Sequence, residues 1–335
     1  MEVFDNIAIS SRIRLARNVD GLKFYTKLEN EVDSNYIIGS VMKTLEKFDV
    51  FNFLRLKDLS LNECNALFEQ HLISRELIEN KDISALAISE DEKIVVMINE
   101  EDHIREQCLE NGFNLYKPYR RLLKIDNEIL SSLPIAFDKN LGFITASPSN
   151  LGSAMRASVM LFLPGCEKQG RIDEIFSRAK QNGLTIRGIY GEGSSAIGSF
   201  YQISNQASLG LDENEIIDKV SEFIYNLCLE EKECREILLE TEYDSCKDAC
   251  LRALGTITNC FTLDEEEMIE LLSKVKFGQV LGFIDISNNQ LFQKLFYKGA
   301  SANLKEIFEL NGQKEEKIVR AEYISNEVRA LAQRR

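Results

Sequence analysis

Between Lys93 and Arg105 the chain reads K-I-V-V-M-I-N-E-E-D-H-I-R. An apolar, strand-like run (Ile94 to Ile98) stops at Asn99-Glu100-Glu101-Asp102-His103, and Arg105 follows one apolar residue later. Three carboxylates, an imidazole and a guanidinium at the end of one strand could orient a cation, move a proton and hold an anion. Such a set is costly to keep for stability alone, and a rigid strand fixes what its end presents. An exposed acidic turn between a strand and a helix is the plain alternative, and this stretch alone favours it.

The arginines shift that balance. Ile7 to Arg17 alternates, with Ile7, Ile9, Ile13 and Leu15 on one face and Ser10, Arg12 and Arg14 on the other. Neighbouring like charges are unfavourable unless an anion lies between them, although a solvated strand face would read the same way. Arg105, Arg156 and Arg187 bring the number to five, each expected at or beside the end of a strand or the start of a helix. Guanidinium forks are the preferred ligands of a polyphosphate. The common nucleotide loops are absent: there is no G-x-x-x-x-G-K-[ST], H-R-D or D-F-G. A nucleoside triphosphate would have to be held by arginines and backbone N–H groups.

The elements that would position these side chains follow from periodicity. Helices are expected over 36–48, 61–68 and 171–181, and from 215 to 227. Residues 106–130 read as largely helical, interrupted at Gly112 and Pro118. A short strand over 141–146 precedes Ser147-Pro148-Ser149-Asn150, with a helix expected from Gly152 to Leu163 capped by Ser149 or Asn150. Leu184 to Ile189 reads as a strand carrying Arg187, followed by the glycine-rich G-E-G-S-S-A-I-G with Glu192. Thr262-Leu263-Asp264-Glu265 has the form of a capping box opening a helix, and only helices are expected from there to Arg335.

Composition sets the bounds. The 335 residues, 44% hydrophobic and 28% charged, fit a globular protein of about two domains. A net charge of −14 argues against nonspecific binding to nucleic acid or anionic membrane. No apolar run approaches a membrane span and the first residues lack signal-peptide character, so a cytoplasmic protein is expected. Eight irregularly spaced cysteines without a C-x-x-C pair read as reduced, mostly buried thiols. His71 is one of only two histidines, and by itself a lone histidine is more often packed than functional.

Four motifs in order, S-S-R-I-R, N-E-E-D-H-I-R, S-P-S-N-L-G-S-A-M-R-A-S-V and R-G-I-Y-G-E, resemble the ATP:guanidino phosphotransferase (phosphagen kinase) superfamily over about Ser10 to Gly210. R-A-S-V-M-L-F-L-P, the run from Arg187 to Gln206 and the domain order resemble its bacterial protein arginine kinase branch. Creatine and arginine kinases place a helical domain before the catalytic one, whereas here the Arg12 strand begins almost at Met1. The resemblance implies an α+β fold: an antiparallel-sheet catalytic domain over 1–255, flanked by helices, then a small all-α domain over 256–335 for dimerisation and regulation.

It also implies roles. Arg12, Arg14, Arg105, Arg156 and Arg187 would grip the ATP phosphates and His71 would contact the nucleotide. Ser10, Ser11 and Ile13, then Ala157, Ser158, Val159 and Met160, then Gly188, Ile189, Tyr190 and Gly191 would line its pocket. Glu101 and Glu192 would hold the guanidinium substrate, Mg²⁺ would accompany ATP, and no metal is expected to be bound by protein ligands alone. The expected activity is transfer of the γ-phosphoryl group to protein arginines, marking proteins for Clp-type proteolysis and controlling stress-gene repression. Implied partners are proteins with exposed arginines, an activator subunit, a stress-gene repressor, a Clp unfoldase or protease and a second copy of the chain, with no direct nucleic acid and no membrane.

Two positions depart from the family pattern. Ser147 stands where relatives have a cysteine whose thiolate contacts the guanidinium, so weaker turnover is expected. In the tail, R-D-x-x-R-A, a phosphoarginine pocket in relatives, aligns with Glu316-Lys317-Ile318-Val319-Arg320-Ala321. Arg320 is retained, but a carboxylate in place of the leading arginine opposes an anion. The alternatives are a weakly active or inactive regulatory protein that binds arginine-bearing partners, and a kinase of a free guanidino metabolite.

Overall fold

A computed structural model describes residues 4, 6–24, 31–48, 50–188, 196–308, 310 and 312–335. Its first strand, β1 (Ala8–Arg17), is followed by helix α1 (Glu31–Leu45), β2 (Phe51–Arg55), α2 (Leu61–Glu69) and α3 (Arg75–Glu79). Next come β3 (Ala85–Ser89), β4 (Ile94–Ile98), β5 (Ile104–Asn111), α4 (Tyr116–Ser132) and the short strands β6 (Phe137–Asp138) and β7 (Gly142–Phe143). Then follow β8 (Met155–Phe162), α5 (Pro164–Lys168), α6 (Ile172–Gln181), β9 (Leu184–Gly188) and β10 (Phe200–Asn205). The rest comprises α7 (Glu213–Thr241), α8 (Tyr243–Ile257), α9 (Glu265–Val280), β11 (Ile284–Ile286), α10 (Asn289–Lys298), α11 (Ser301–Ile307), α12 (Gln313–Leu331) and β12 (Ala332–Arg334).

Eight strands form one sheet in the order β2-β3-β4-β5-β1-β8-β10-β9. The pairs β2–β3, β3–β4, β4–β5 and β5–β1 are all antiparallel. The chain divides into two compact units: Met1–Met160 with Arg178–Thr185 and Ile203–Tyr225, and Leu161–Ser177 with Ile186–Gln202 and Asn226–Arg335.

In the first unit, register decides which side chains share a face. Arg12 lies opposite Leu109, Arg14 opposite Gln107 and Ala16 opposite Arg105, so Arg12, Arg14 and Arg105 project from one side of the sheet. On β4, Met97 and Val95 lie opposite Arg105 and Gln107 and continue that side. There it becomes apolar, and Leu86, Ile88, Val95 and Met97 pack with Cys64, Leu72, Ile73 and Leu77 of the α2–α3 region. Ser60 and Glu63 form a capping box that starts α2. The other side carries Ile13, Leu15 and Arg17, set against Cys108, Glu106 and Ile104. Helix α4 supplies Leu122, Ile125 and Ile129 to the buried core.

A buried ion pair lies within that apolar region. Arg17, 1% exposed, donates from Nε and Nη2 to the two carboxylate oxygens of Asp126 at 2.9 and 2.8 Å. Its guanidinium also stacks 3.7 Å from the Phe143 ring centre. Glu106 is fully buried and receives no hydrogen bond from a donor group. Burial and the neighbouring Asp126 carboxylate push its pKa well above the ordinary value, so Glu106 carries a proton.

The second unit is largely helical. Glu231 accepts from the backbone N–H groups of Gly165 and Cys166 at 2.9 and 2.7 Å and pairs with Arg235. Helix α9 buries Met268, Leu272 and Val275. At Gly198 (φ +73) an added Cβ would collide with the Ser273 hydroxyl, so only glycine fits there without movement.

Several expectations are corrected. Residues 104–111 are the strand β5 rather than part of a helix, because they fill the position between β4 and β1, where both backbone edges find partners. The helix begins only at Tyr116. Residues 155–162 are likewise the strand β8, beside β1, where a helix from Gly152 was expected. A single 3₁₀ turn (Pro148–Asn150) and Gly152 (φ +101) lead into it, and a Cβ at Gly152 would strike the Ser208 carbonyl. Ser149 and Asn150 therefore cap no helix.

The strand expected over 141–146 shrinks to Gly142–Phe143. Asp264 precedes α9 with no side-chain capping bond, so the box at Thr262 does not form. The tail also contains the antiparallel pair β11–β12, too short to show an alternating pattern. Arg12 and Arg14 lie well inside β1 instead of at its end, whereas Arg105, Arg156 and Arg187 each lie next to an end of β5, β8 and β9, as expected. Strand β1 is moreover covered on both faces instead of being half solvated.

The protonated Glu106 sets a pH dependence. Its stabilising contribution is complete below its ordinary pKa of 4.5 and is lost as pH rises toward the raised folded value. Glu106→Gln, which mimics the protonated form, should raise the urea midpoint above wild type at pH 8, with the gap closing near pH 4.5. A gap independent of pH would refute the assignment.

Candidate active site

The turn after β4 is pinned at every residue. Asn99 takes a positive φ of 60°, tolerable for Asn, and its N–H bonds the His103 carbonyl at 2.9 Å. Its side chain donates to the Ile83 carbonyl at 2.9 Å, and its own carbonyl accepts from the Ser84 hydroxyl at 2.8 Å. This reversal directs the three carboxylates to different tasks.

Glu100, 1% exposed, turns inward. It pairs with Arg105, accepts from the Ser74 hydroxyl at 2.6 Å and accepts from the Glu101 backbone N–H at 2.9 Å. Asp102 is also buried and accepts from Asn18 Nδ2 at 2.6 Å and from the Ala146 N–H at 2.7 Å. That second bond ties the acidic turn to the segment leading into Ser147. Glu101 is left half-buried, and its carboxylate accepts no hydrogen bond among the described residues. Burial, then Asp102 and Glu100, raise its pKa above the ordinary carboxylate value.

His103 is structural. Its Nδ1 accepts from the Val19 N–H at 3.1 Å, which leaves Nε2–H to donate to the Lys23 carbonyl at 2.8 Å. Burial keeps this imidazole neutral by lowering its pKa.

Four of the five arginines lie together in the first unit. Arg12 and Arg14 are half-buried, and burial lowers the pKa of each. Repulsion from Arg105 and Arg156 depresses Arg12 further, to about 10. Arg14 is lowered by Arg12, Arg105 and Arg156 together, and only Glu100 opposes them. Arg12 stays cationic at neutral pH. Arg156 donates from Nε to the Ser204 hydroxyl at 3.3 Å, and Ser158 donates to the Arg12 carbonyl at 3.4 Å. Arg14 Nε is buried with no hydrogen-bond partner. Crowded cations and an orphaned donor are the features a polyanion would satisfy.

His71, in the left-handed region (φ 61°), sits near this cluster with its carbonyl accepting from Gln107 Nε2 at 3.0 Å. Burial and then Arg12 lower its pKa to about 4, so the ring is neutral. Ser10 shares the face of Arg12 and Arg14, whereas Ser11 and Ile13 point to the opposite one. Ser11 donates to the Gly112 carbonyl at 2.7 Å. Ala157 and Val159 are fully buried, and Met160 is half-buried. The Ser147 hydroxyl bonds that of Ser149 at 2.9 Å.

Arg187 and Gly188 lie on β9 in the second unit, with Arg187 exposed. Ile189, Tyr190, Gly191 and Glu192 lie outside the described residues. Arg320, also in the second unit, is 2% exposed and donates to the Gly299 and Leu263 carbonyls, to Ser301 and to Glu316. The sequence reading missed Glu100, Ser74, Asn18 and Gln107. Adjacent glutamates give no sign of which turns inward until the positive φ at Asn99 is known.

A cluster of mutually repelling arginines on the sheet, beside a carboxylate that accepts no hydrogen bond among the described residues, suits a polyanion meeting a cation. The comparisons agree. The description "ATP:guanido phosphotransferase, C-terminal catalytic domain" matches residues 34–234, and "Protein-arginine kinase McsB C-terminal domain" matches residues 244–335. The chain belongs to the ATP:guanido phosphotransferase family and is an ATP-dependent enzyme of that class.

Its relatives are more particular. It is 38% identical to the protein-arginine kinase of Clostridium acetobutylicum over 334 residues, 97% of each chain. It is 39% identical to that of Bacillus cereus (strain AH187) over 292 residues, covering 85% of this chain and 82% of the relative. Among solved structures, the duplicated taurocyamine kinase of Schistosoma mansoni with bound transition-state analog components matches with a TM-score of 0.64 and 25% identity. That match covers 79% of this chain and 40% of that one. Lombricine kinase matches with a TM-score of 0.60 and 23% identity, over 68% and 67% of the two chains, and supports the fold alone.

The neutral state of His71 is measurable. A folded pKa near 4 means its contribution to stability is present above 6.5 and is lost as pH falls through 4. The ring resonance of His71 should stay at its neutral position from pH 8 to pH 5. A midpoint near 6.5 would mean the ring is solvated and away from Arg12.

Proposed function

We propose that this chain transfers the γ-phosphoryl group of ATP to arginine side chains of proteins. The observation that carries the reading is the pairing of a half-buried, unbonded Glu101 with the repelling set Arg12, Arg14, Arg105 and Arg156. Near full-length similarity to protein-arginine kinases supports proteins as the substrate.

A guanidinium is a poor nucleophile, protonated at neutral pH with its lone pairs delocalised. Glu101 would orient it and accept the proton lost as its nitrogen bonds the γ-phosphorus. The bond from that phosphorus to the bridging oxygen breaks, and the electron pair leaves with ADP. A raised carboxylate pKa suits that proton transfer. Glu192 is the second carboxylate of this reading and Arg187 its fifth phosphate ligand. Ser10, Ser158, Met160 and neutral His71 would line the nucleotide pocket, with the backbone of Ser11, Ile13, Ala157, Val159 and Gly188–Gly191 shaping it. Arginine donors aimed at phosphoryl oxygens stabilise the charge that develops there.

When bound, Mg²⁺ supplies further neutralisation of the phosphoryl oxygens. The described residues contain no cluster of three or more His, Cys, Asp or Glu suited to a metal. The ion would thus be held chiefly by the nucleotide's phosphates and water.

We place the catalytic domain at 1–255 and a dimerising, regulatory helical domain at 256–335. Among the described residues no helix is long and apolar enough to cross a membrane, and we infer a cytoplasmic role in protein quality control. There, phosphoarginine would direct substrates to a Clp-type protease and control stress-gene repression, with a repressor and an activator subunit as further partners. The guanidinium of Arg320, engaged by Glu316, Ser301 and two carbonyls, supports weak activation by phosphoarginine.

A regulatory reading with little turnover draws on Ser147, because a neutral hydroxyl cannot replace a thiolate's charge. Incubation with ATP, Mg²⁺ and an arginine-rich protein should yield acid-labile phosphorylation. Glu101→Gln should lower its rate by roughly 10²–10⁴-fold, the range of a lost general base, and an undiminished rate would refute its role. Ser147→Cys should raise turnover several-fold, whereas unchanged turnover would show that the hydroxyl is not limiting.

A further inference from the structure

Away from these residues, the first unit holds a cleft of about 860 Å³ between the start of β2, the β3–β4 turn and the first turns of α4. Phe48, Val50, Phe51, Ile94 and Ile125 give it an apolar lining. Phe48 and Phe51 meet edge to face, 6.4 Å between ring centres, and Val50 is 40% exposed. Helix α4 contributes Lys117, Arg120, Arg121 and Lys124.

That charge pattern works against the helix. Four basic residues fall in its first nine positions and its first turn has no acidic residue, where the helix dipole favours the opposite sign. Part of the excess is answered within the fold. The buried Glu110 carboxylate takes Lys93, Lys117 and Arg121 at 3.0, 3.0 and 2.8 Å, and Asp91 takes Arg121 at 2.7 Å. Arg120 and Lys124 are exposed and form no ion pair or side-chain hydrogen bond among the described residues. In a chain of net charge −14 they line a cleft with an apolar floor.

The arrangement selects the occupant. A compact phosphate needs donors that converge, and the converging donors here already surround Glu110. Arg120 and Lys124 are instead arrayed along the helix, about 6 Å apart at a rise of about 1.5 Å per residue. An extended peptide covers that distance in two residues at roughly 3.3 Å each. Its side chains alternate, so acidic groups can meet the helix while apolar ones meet Phe48, Val50 and Phe51. We infer that this cleft docks an extended segment of a partner protein in which acidic and apolar residues alternate. The inference is independent of the phosphoryl-transfer reading.

The probe is a fluorescein-labelled twelve-residue peptide of alternating Glu and Leu, titrated with the full chain in 150 mM salt without nucleotide. Anisotropy should report a micromolar Kd, weakened at least tenfold in Arg120→Glu/Lys124→Glu. Arg120→Gln/Lys124→Gln should weaken it by a smaller factor with the melting temperature unchanged, which separates lost docking from misfolding. Val50→Asp should also weaken it. No binding, equal binding by the charge-reversed variant, or equally tight binding of a single-stranded DNA oligonucleotide would overturn the inference.

Discussion

Like charges held against one another are the constraint on which this structure turns. Arg12 is repelled by Arg105 and Arg156, and Arg14 by Arg12, Arg105 and Arg156. A flexible surface would let them splay into water. Here Arg12 and Arg14 are fixed by β1, whose two neighbours in the sheet are β5 and β8, the strands carrying Arg105 and Arg156. The eight-stranded sheet and the helices that cover it maintain an electrostatic tension that only an anion relieves.

The acidic turn manages the counter-charge. Glu100 holds Arg105 in place without cancelling the whole cluster, and Ser74, which also caps α3, holds Glu100. Asp102 accepts through Oδ1 from both Asn18 and the Ala146 N–H, joining the turn to the Ser147 segment. Glu101 alone among the three is left without such work. Adjacent residues of the same chemical type thus divide into a counter-ion, an uncommitted carboxylate and a tether, because one backbone reversal at Asn99 points them in three directions.

The sequence makes the chemistry easier to read than the architecture. Ile94–Ile98 is a strand in both readings, and α2 and α6 fall within a residue of their expected bounds. The arginines and N-E-E-D-H were identifiable by residue type because charge in an acidic chain is conspicuous. Residues 104–111 and 155–162 misled because buried Glu106 and Glu110, and the small residues of M-R-A-S-V, fit a helical period as well as an extended one. Their state is decided by strand neighbours remote in the chain, which local pattern does not encode. The burial of both faces of β1 was hidden for the same reason: Arg17 reads as a surface residue until Asp126 and Phe143 are brought to it. The division of labour between Glu100 and Glu101 depended on a single dihedral angle.

The crowding of guanidiniums also bears on inhibitor chemistry. A neutral, membrane-permeable compound placed among Arg12, Arg14, Arg105 and Arg156 would displace hydration from cations and return no compensating charge. Compounds aimed at that cluster must therefore be anionic or carry a masked acid released after entry, which puts potency in conflict with uptake from the outset.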